Sequence, residues 1–232
     1  MPLKSIQELL KVEYDLYERF QRCCHQFHGE VVNDDDWGWD SYFLMQHHGA
    51  PTRLLDWSDG ALIALHFAIR NNSKGDEEDA VVYVLEPYRL DEQLKGLSDI
   101  GNIKDRWKDH VAGDPSLKSC EDNWERVWLP DDEDGRKEIG IPTVPLVLDF
   151  PHITRRVAAQ RSRFMVFGTN PTWLQEESRK GIHSSIQMII IDSEHKKKLR
   201  LELTDSGVTE SVIFPDMDGL GRELKQLWED RK

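Results

Sequence analysis

Apolar side chains recur at near-helical intervals at Ile6, Leu9, Leu10, Tyr14, Leu16, Tyr17 and Phe20, which predicts an amphipathic helix within residues 5–28. Ser5 followed by Glu8 has the form of a capping box, and Gly29 with the run Asp34-Asp35-Asp36 ends the segment. A second helix is expected from Trp37 to about His47, with Gly49 as its stop. Pro51 pushes Ala50 out of the helical region, so Thr52 to Trp57 should be extended. Ser58 is placed to cap a third helix over 59–71. That helix is apolar nearly all round and should be buried. Runs of β-branched and aromatic residues predict strands at 80–87, 144–151, 163–168 and 184–192. A short helix is expected over 152–160, a basic amphipathic one over 194–203 and a last one over 216–230. Between 88 and 142 the pattern weakens to scattered Gly, Pro, Asp and Trp. Only 121–129 reads as helical there, so this stretch is expected to be a loop-rich insertion. Together these elements predict an α+β fold. It would be a single domain over 1–232 with a mixed central sheet of four to six strands flanked by helices.

Length and charge narrow the classes of function. A chain of 232 residues is long enough to hide roughly 70% of its unfolded surface. Three cysteines imply no disulfide framework, and Met1-Pro2-Leu3-Lys4-Ser5 lacks an apolar signal core, so a cytoplasmic location is expected. No apolar run reaches the roughly 20 residues of a membrane span. The formal net charge of −13 argues against broad nucleic-acid binding and against anionic membranes. The acidic runs 76–79 and 131–134 are most simply solvated loops. Against them, Arg155, Arg156, Arg161 and Arg163 form a local basic cluster.

The densest candidate chemistry lies in QHHGAPTRLLDWSDGALIALHFAIR, residues 46–70. Thr52, Arg53, Asp56 and Ser58 precede a helix whose free amides and dipole suit a phosphate. The same residues could instead be internal. Asp56 would then bond backbone amides, and Arg53 would tie loops together or meet Asp56 as a charge-assisted pair. An arginine followed by Leu54 and Leu55 needs a partner in either case, because an unpaired buried charge is costly. His47 and His48, and Cys24 with His28, lack a second ligand pair at metal-site spacing, so no metal is assigned. Arg156 could clamp a phosphate bidentately or neutralise an acidic loop. Gln160 can orient a substrate but cannot act as a base. No nucleophile elbow, P-loop or dinucleotide fingerprint occurs.

The 45–69 stretch resembles the signature of the FRG domain family, Gln-His-x-Gly-x-Pro-Thr-Arg-Leu-Leu-Asp-Trp. RRVAAQRSRFMVFG (155–168) and VIFPDMDGLGREL (212–224) resemble two later family segments in the same order, so the likeness spans roughly 37–230. The Phe-Arg-Gly tripeptide that names the family is not found; Phe27-His28-Gly29 comes nearest. The family's layout resembles that of ADP-ribosyltransferases. The resemblance therefore implies a nucleotide-accommodating cleft, with NAD as the candidate cofactor. In it Arg53 would contact phosphate and Asp56 would stabilise positive charge. His48, Thr52, Trp57, Ser58 and Arg156 would line the site, with Gln160 opposite. Asp56 and Gln160 are the catalytic candidates. The alternative is a non-enzymatic protein-interaction module in which the 46–58 motif is a structural clip.

Overall fold

Ser5 and Glu8 close the expected capping box. The Ser5 amide donates to Glu8 Oε2 at 2.7 Å, and the Glu8 amide to Ser5 Oγ at 3.2 Å. They start helix α1 (Ile6–Cys24) in the computed structural model, which describes residues 5–24, 26, 38–70, 77–113, 122–131, 140–148 and 155–229. Phe27-His28-Gly29, the 34–36 aspartates, Cys120 and most of the 131–134 run lie outside the described residues. The order continues with α2 (Trp39–His47), β1 (Leu54–Ser58), α3 (Ala61–Ile69), β2 (Ala80–Leu85), α4 (Pro87–Lys95) and α5 (Ser98–Gly113). A 3-10 turn (Trp124–Trp128) precedes β3 (Leu146–Leu148), α6 (Arg155–Gln160), β4 (Ser162–Val166) and α7 (Trp173–Ser178). The chain ends with β5 (Ile186–Ile191), α8 (Lys196–Asp205), α9 (Glu210–Ile213) and α10 (Met217–Glu229).

The fold is α+β. The expected single sheet of four to six strands is corrected to two small ones, a three-stranded sheet in the order β1-β4-β3 and a two-stranded sheet of β2 with β5. β2 and β5 pair antiparallel, from Ala80 opposite Ile191 to Leu85 opposite Ile186. Residues 87–113, expected as loop, are helical. Leu90, Leu94, Ile100, Ile103, Trp107 and Val111 are buried, the last four at helical spacing. That stripe is a single residue wide and is interrupted by polar and glycine positions, which hid its period.

The chain divides into two compact units. The first comprises 1–55, 88–146 and 166–173. Its core includes the edge-on pair Tyr17–Tyr42 and the stacked pair Trp39–Phe43. Trp128 is fully buried and donates its indole N–H to Val144 O at 3.0 Å. Gly168 is required here, since a Cβ would stand 2.1 Å from Pro142 O. The second unit comprises 56–87, 147–165 and 174–232. Its core packs Ile69, Ala80, Ile191 and Leu203 together, so α3 and α8 share one face of the β2–β5 ribbon. α3 is not buried all round as its composition predicts. His66 and Ile69 are buried, but Leu62 and Phe67 are exposed, because its partners cover one side of the helix.

Candidate functional site

Within the first unit, α1 turns Leu10, Glu13 and Tyr17 to one buried face at positions i, i+3 and i+7. Glu13 is therefore a carboxylate in an apolar stripe, and Arg53 answers it. The Arg53 guanidinium donates through Nε to Glu13 Oε2 at 2.6 Å. It also reaches Phe167 O at 2.6 Å and Trp128 O at 2.5 Å. The Arg53 amide donates to Tyr42 Oη at 2.8 Å and to Glu13 Oε1 at 3.0 Å, and the Tyr42 hydroxyl itself donates to Glu13 Oε1. The side chains of Arg53 and Glu13 are only 16% and 8% exposed, so the pair is shielded from solvent. Burial, with Glu13 beside it, pushes the Tyr42 phenol well above its ordinary range, although the Arg53 charge pulls the other way. Next to this network, Thr52 Oγ1 donates to Gln46 Oε1 at 2.6 Å and accepts from the Leu54 amide. Of the two internal readings, Arg53 ties separate segments together and does not pair with Asp56: the carboxylate comes from Glu13, 40 residues earlier. Asp56 is exposed in β1.

In the second unit the residues around Ser58 and Gln160 are stitched together. Ser58 Oγ donates to Gln160 O at 2.7 Å and accepts from the Gly60 amide at 3.1 Å. The α3 N-cap position is therefore Gly60, two residues later than expected, while the Ser58 hydroxyl still serves the helix entry. The Asp59 amide donates to Arg161 O, and Arg163 Nε donates to both Asp59 carboxylate oxygens at 2.9 and 3.0 Å. Gln160 Nε2 reaches Ile213 O at 3.4 Å, and Gln160 Oε1 accepts from Ser162 Oγ at 3.5 Å. Arg161 has a positive φ of 47°, a conformation that costs a non-glycine residue free energy and re-aims the chain into β4. The indole N–H of Trp57 is buried with no hydrogen-bond partner among the described residues.

A third constellation, also in the second unit, gathers on Phe214. The guanidinium carbons of Arg70, Arg156 and Arg222 stand 4.8, 4.8 and 4.6 Å from its ring centre. Glu210, on the short helix α9, accepts from Arg70 Nε at 2.6 Å and from Arg222 Nε at 2.9 Å, and lies 3.3 Å from His66 Nε2. Burial opposes ionisation of Glu210. The hydrogen bond from Arg222 and the charges of Arg70 and His66 outweigh it and hold the carboxyl below its ordinary range. His66 is held below its ordinary range by burial, with Glu210 working against that shift.

Of the candidate residues, His48, Thr52 and Arg53 fall in the first unit, and Asp56, Trp57, Ser58, Arg156 and Gln160 in the second. The structure joins Thr52 and Arg53 at the same turn, and Ser58 with Gln160. His48 is exposed just after α2, its ring 5.1 Å from that of His47. Glu13, Arg70, Glu210, Phe214 and Arg222 were not singled out from sequence. Glu13 carried a signal, since a carboxylate three residues after Leu10 and four before Tyr17 sits on the apolar face. Glu210 and Arg70 are 140 residues apart and carried none. Among the described residues, no helix is long and apolar enough to cross a membrane.

Residues 3–77 match the family model of the FRG domain. The match contains the 45–69 motif, whereas the segments 155–168 and 212–224 lie beyond it. Comparison with curated proteins and with solved structures returns no match.

Proposed function

We propose that this chain is a non-enzymatic interaction module in which the 46–58 motif is an internal clip. The observation that carries the reading is the engagement of Arg53. Its guanidinium is taken up by one carboxylate and two backbone carbonyls, and its amide by the same carboxylate and a buried phenol. A group engaged at Nε, Nη1 and Nη2 in this way holds α1, the turn at 52–53, the 3-10 turn and residue 167 to one another. Gln160 is similarly engaged through its carbonyl and its side-chain amide.

The test measures nicotinamide release from NAD and the melting temperature with NAD, ADP-ribose and ATP. It compares wild type with Arg53→Ala, and with the paired replacement Glu13→Leu plus Arg53→Met, which removes the charge without stranding its partner. The clip reading expects no nicotinamide release, and any nucleotide-induced stabilisation to persist without the Arg53 guanidinium. A ligand at a hundred times its dissociation constant adds about 2.7 kcal/mol. Loss of such a shift in a folded variant lacking Arg53 would overturn the clip and establish a nucleotide cleft using Arg53.

A further inference from the structure

We infer that this chain pairs with a second copy of itself through the outer edge of β5, as a closed two-fold dimer. The inference goes beyond the clip and uses none of its residues. β2 and β5 form a ribbon of two strands, and among the described residues neither outer edge is joined by a third. The Glu86 amide donates to Ser185 O at 2.8 Å, so the odd-numbered residues of β5 turn their backbone groups toward β2. The even-numbered ones turn theirs outward. At Ile186 the outward groups are already served: its amide donates to Ser184 Oγ at 2.8 Å, and its carbonyl accepts from the same hydroxyl at 2.7 Å. The edge open to a new strand is therefore Met188 and Ile190. Charge, proline and bulges ordinarily blunt such edges. Here residues 186–191 contain no charge and no proline, and their register against β2 runs without a bulge. Met188, Ile189 and Ile190 are 46%, 52% and 63% exposed.

The register that uses both open residues is antiparallel and centred on Ile189. Met188 then lies opposite the partner's Ile190, and Ile190 opposite the partner's Met188. Each of these pairs exchanges both of its backbone hydrogen bonds. Ile189 faces the partner's Ile189 on the two-fold axis, which makes the contact self-complementary. Met188 and Ile190 share a face with Tyr83 and Val81, so the joined ribbons present one continuous apolar surface. Charge selects this direction and this strand. Exposed Arg179, Lys180 and His183 precede β5, and exposed Asp192 and Glu194 follow it. Lys180 also bonds Glu177 on its own chain. Of the lysines next on α8, Lys196 is turned to Glu78 O and Lys198 to Glu202. Antiparallel pairing therefore brings the basic end of one β5 to the acidic end of the other, whereas parallel pairing would set like beside like. The outer edge of β2 has no such match. Glu77, Glu78 and Asp79 precede that strand and Glu86 follows it, so self-pairing there would oppose acid to acid.

The test is sedimentation velocity of the full chain over a concentration series, for wild type, Ile189→Lys, Ile189→Glu and an equimolar mixture of the two variants. Wild type should reach the mass of two chains and stop there. Either variant alone sets like charges face to face on the axis, and should dimerise at least tenfold more weakly. The mixture should regain a dimer with one chain of each kind, which requires both variants to be folded and Ile189 to lie on the axis. Wild type that remains one chain, or a mass that climbs past two, would overturn the closed dimer. So would single variants that dimerise as wild type does, or a mixture that stays monomeric.

Discussion

Arg53 in the first unit and the three arginines around Phe214 in the second solve the problem of a guanidinium in a protein interior differently. At Arg53 the account closes. One buried carboxylate meets one guanidinium, and two further N–H donors find backbone carbonyls. At Phe214 it does not. Two arginines share Glu210, their side chains are 35% and 39% exposed, and the third stands against the aromatic ring. A balanced, shielded pair confers little capacity to bind anything else, because any ligand must displace hydrogen bonds already made. Read by residue type alone, both sites are arginines beside aromatics. Partner count separates them.

The comparison can be broken first at Arg53. Arg53→Ala leaves Glu13 charged and buried, and should cost about 3–5 kcal/mol of unfolding free energy in denaturant titration. A loss below about 1 kcal/mol would remove the distinction between the two sites. Glu210→Ala should cost less, about 1–3 kcal/mol, since the arginines it strands can turn to water. Tyr42→Phe removes a hydroxyl that bonds both Glu13 and the Arg53 amide, and should cost about 1 kcal/mol.

Acid should sharpen the contrast through His66. Its folded pKa lies below the ordinary value of 6.5 because of burial, so unfolding takes up a proton. Its contribution is present above pH 6.5 and is lost as the pH falls through the folded value. Melting temperature should decline on acidification from pH 7 to pH 5, and less steeply in His66→Asn. Glu210, held low by its arginines, contributes above 4.5 and loses that contribution in stronger acid. The smallest effect is that of Arg156→Ala on stability, about 0.5 kcal/mol, the size of one cation–ring contact with Phe214.

Much of the architecture was legible along the chain. The capping box, the strands at 80–87 and 184–192 and the helix after Pro215 all formed near their expected bounds. These depend on neighbours within four residues or on an alternating pattern, which the order of residues contains. The helices at 87–113 were missed because their buried stripe is narrow, and α3 was misjudged because composition cannot say how many sides a helix will have covered.

For the motif, the sequence by itself determined that Arg53 needs a partner, since it directly precedes two leucines ahead of an apolar helix. Only the tertiary structure decided that the partner is Glu13 and not Asp56. Likewise the basic character of 155–163 was plain from the residues, but the gathering of Arg156 with Arg70 and Arg222 on one ring was not. Local propensity and periodicity act over a few bonds. The pairing of charges 40 or 140 residues apart is settled by which buried groups the packed core leaves unneutralised.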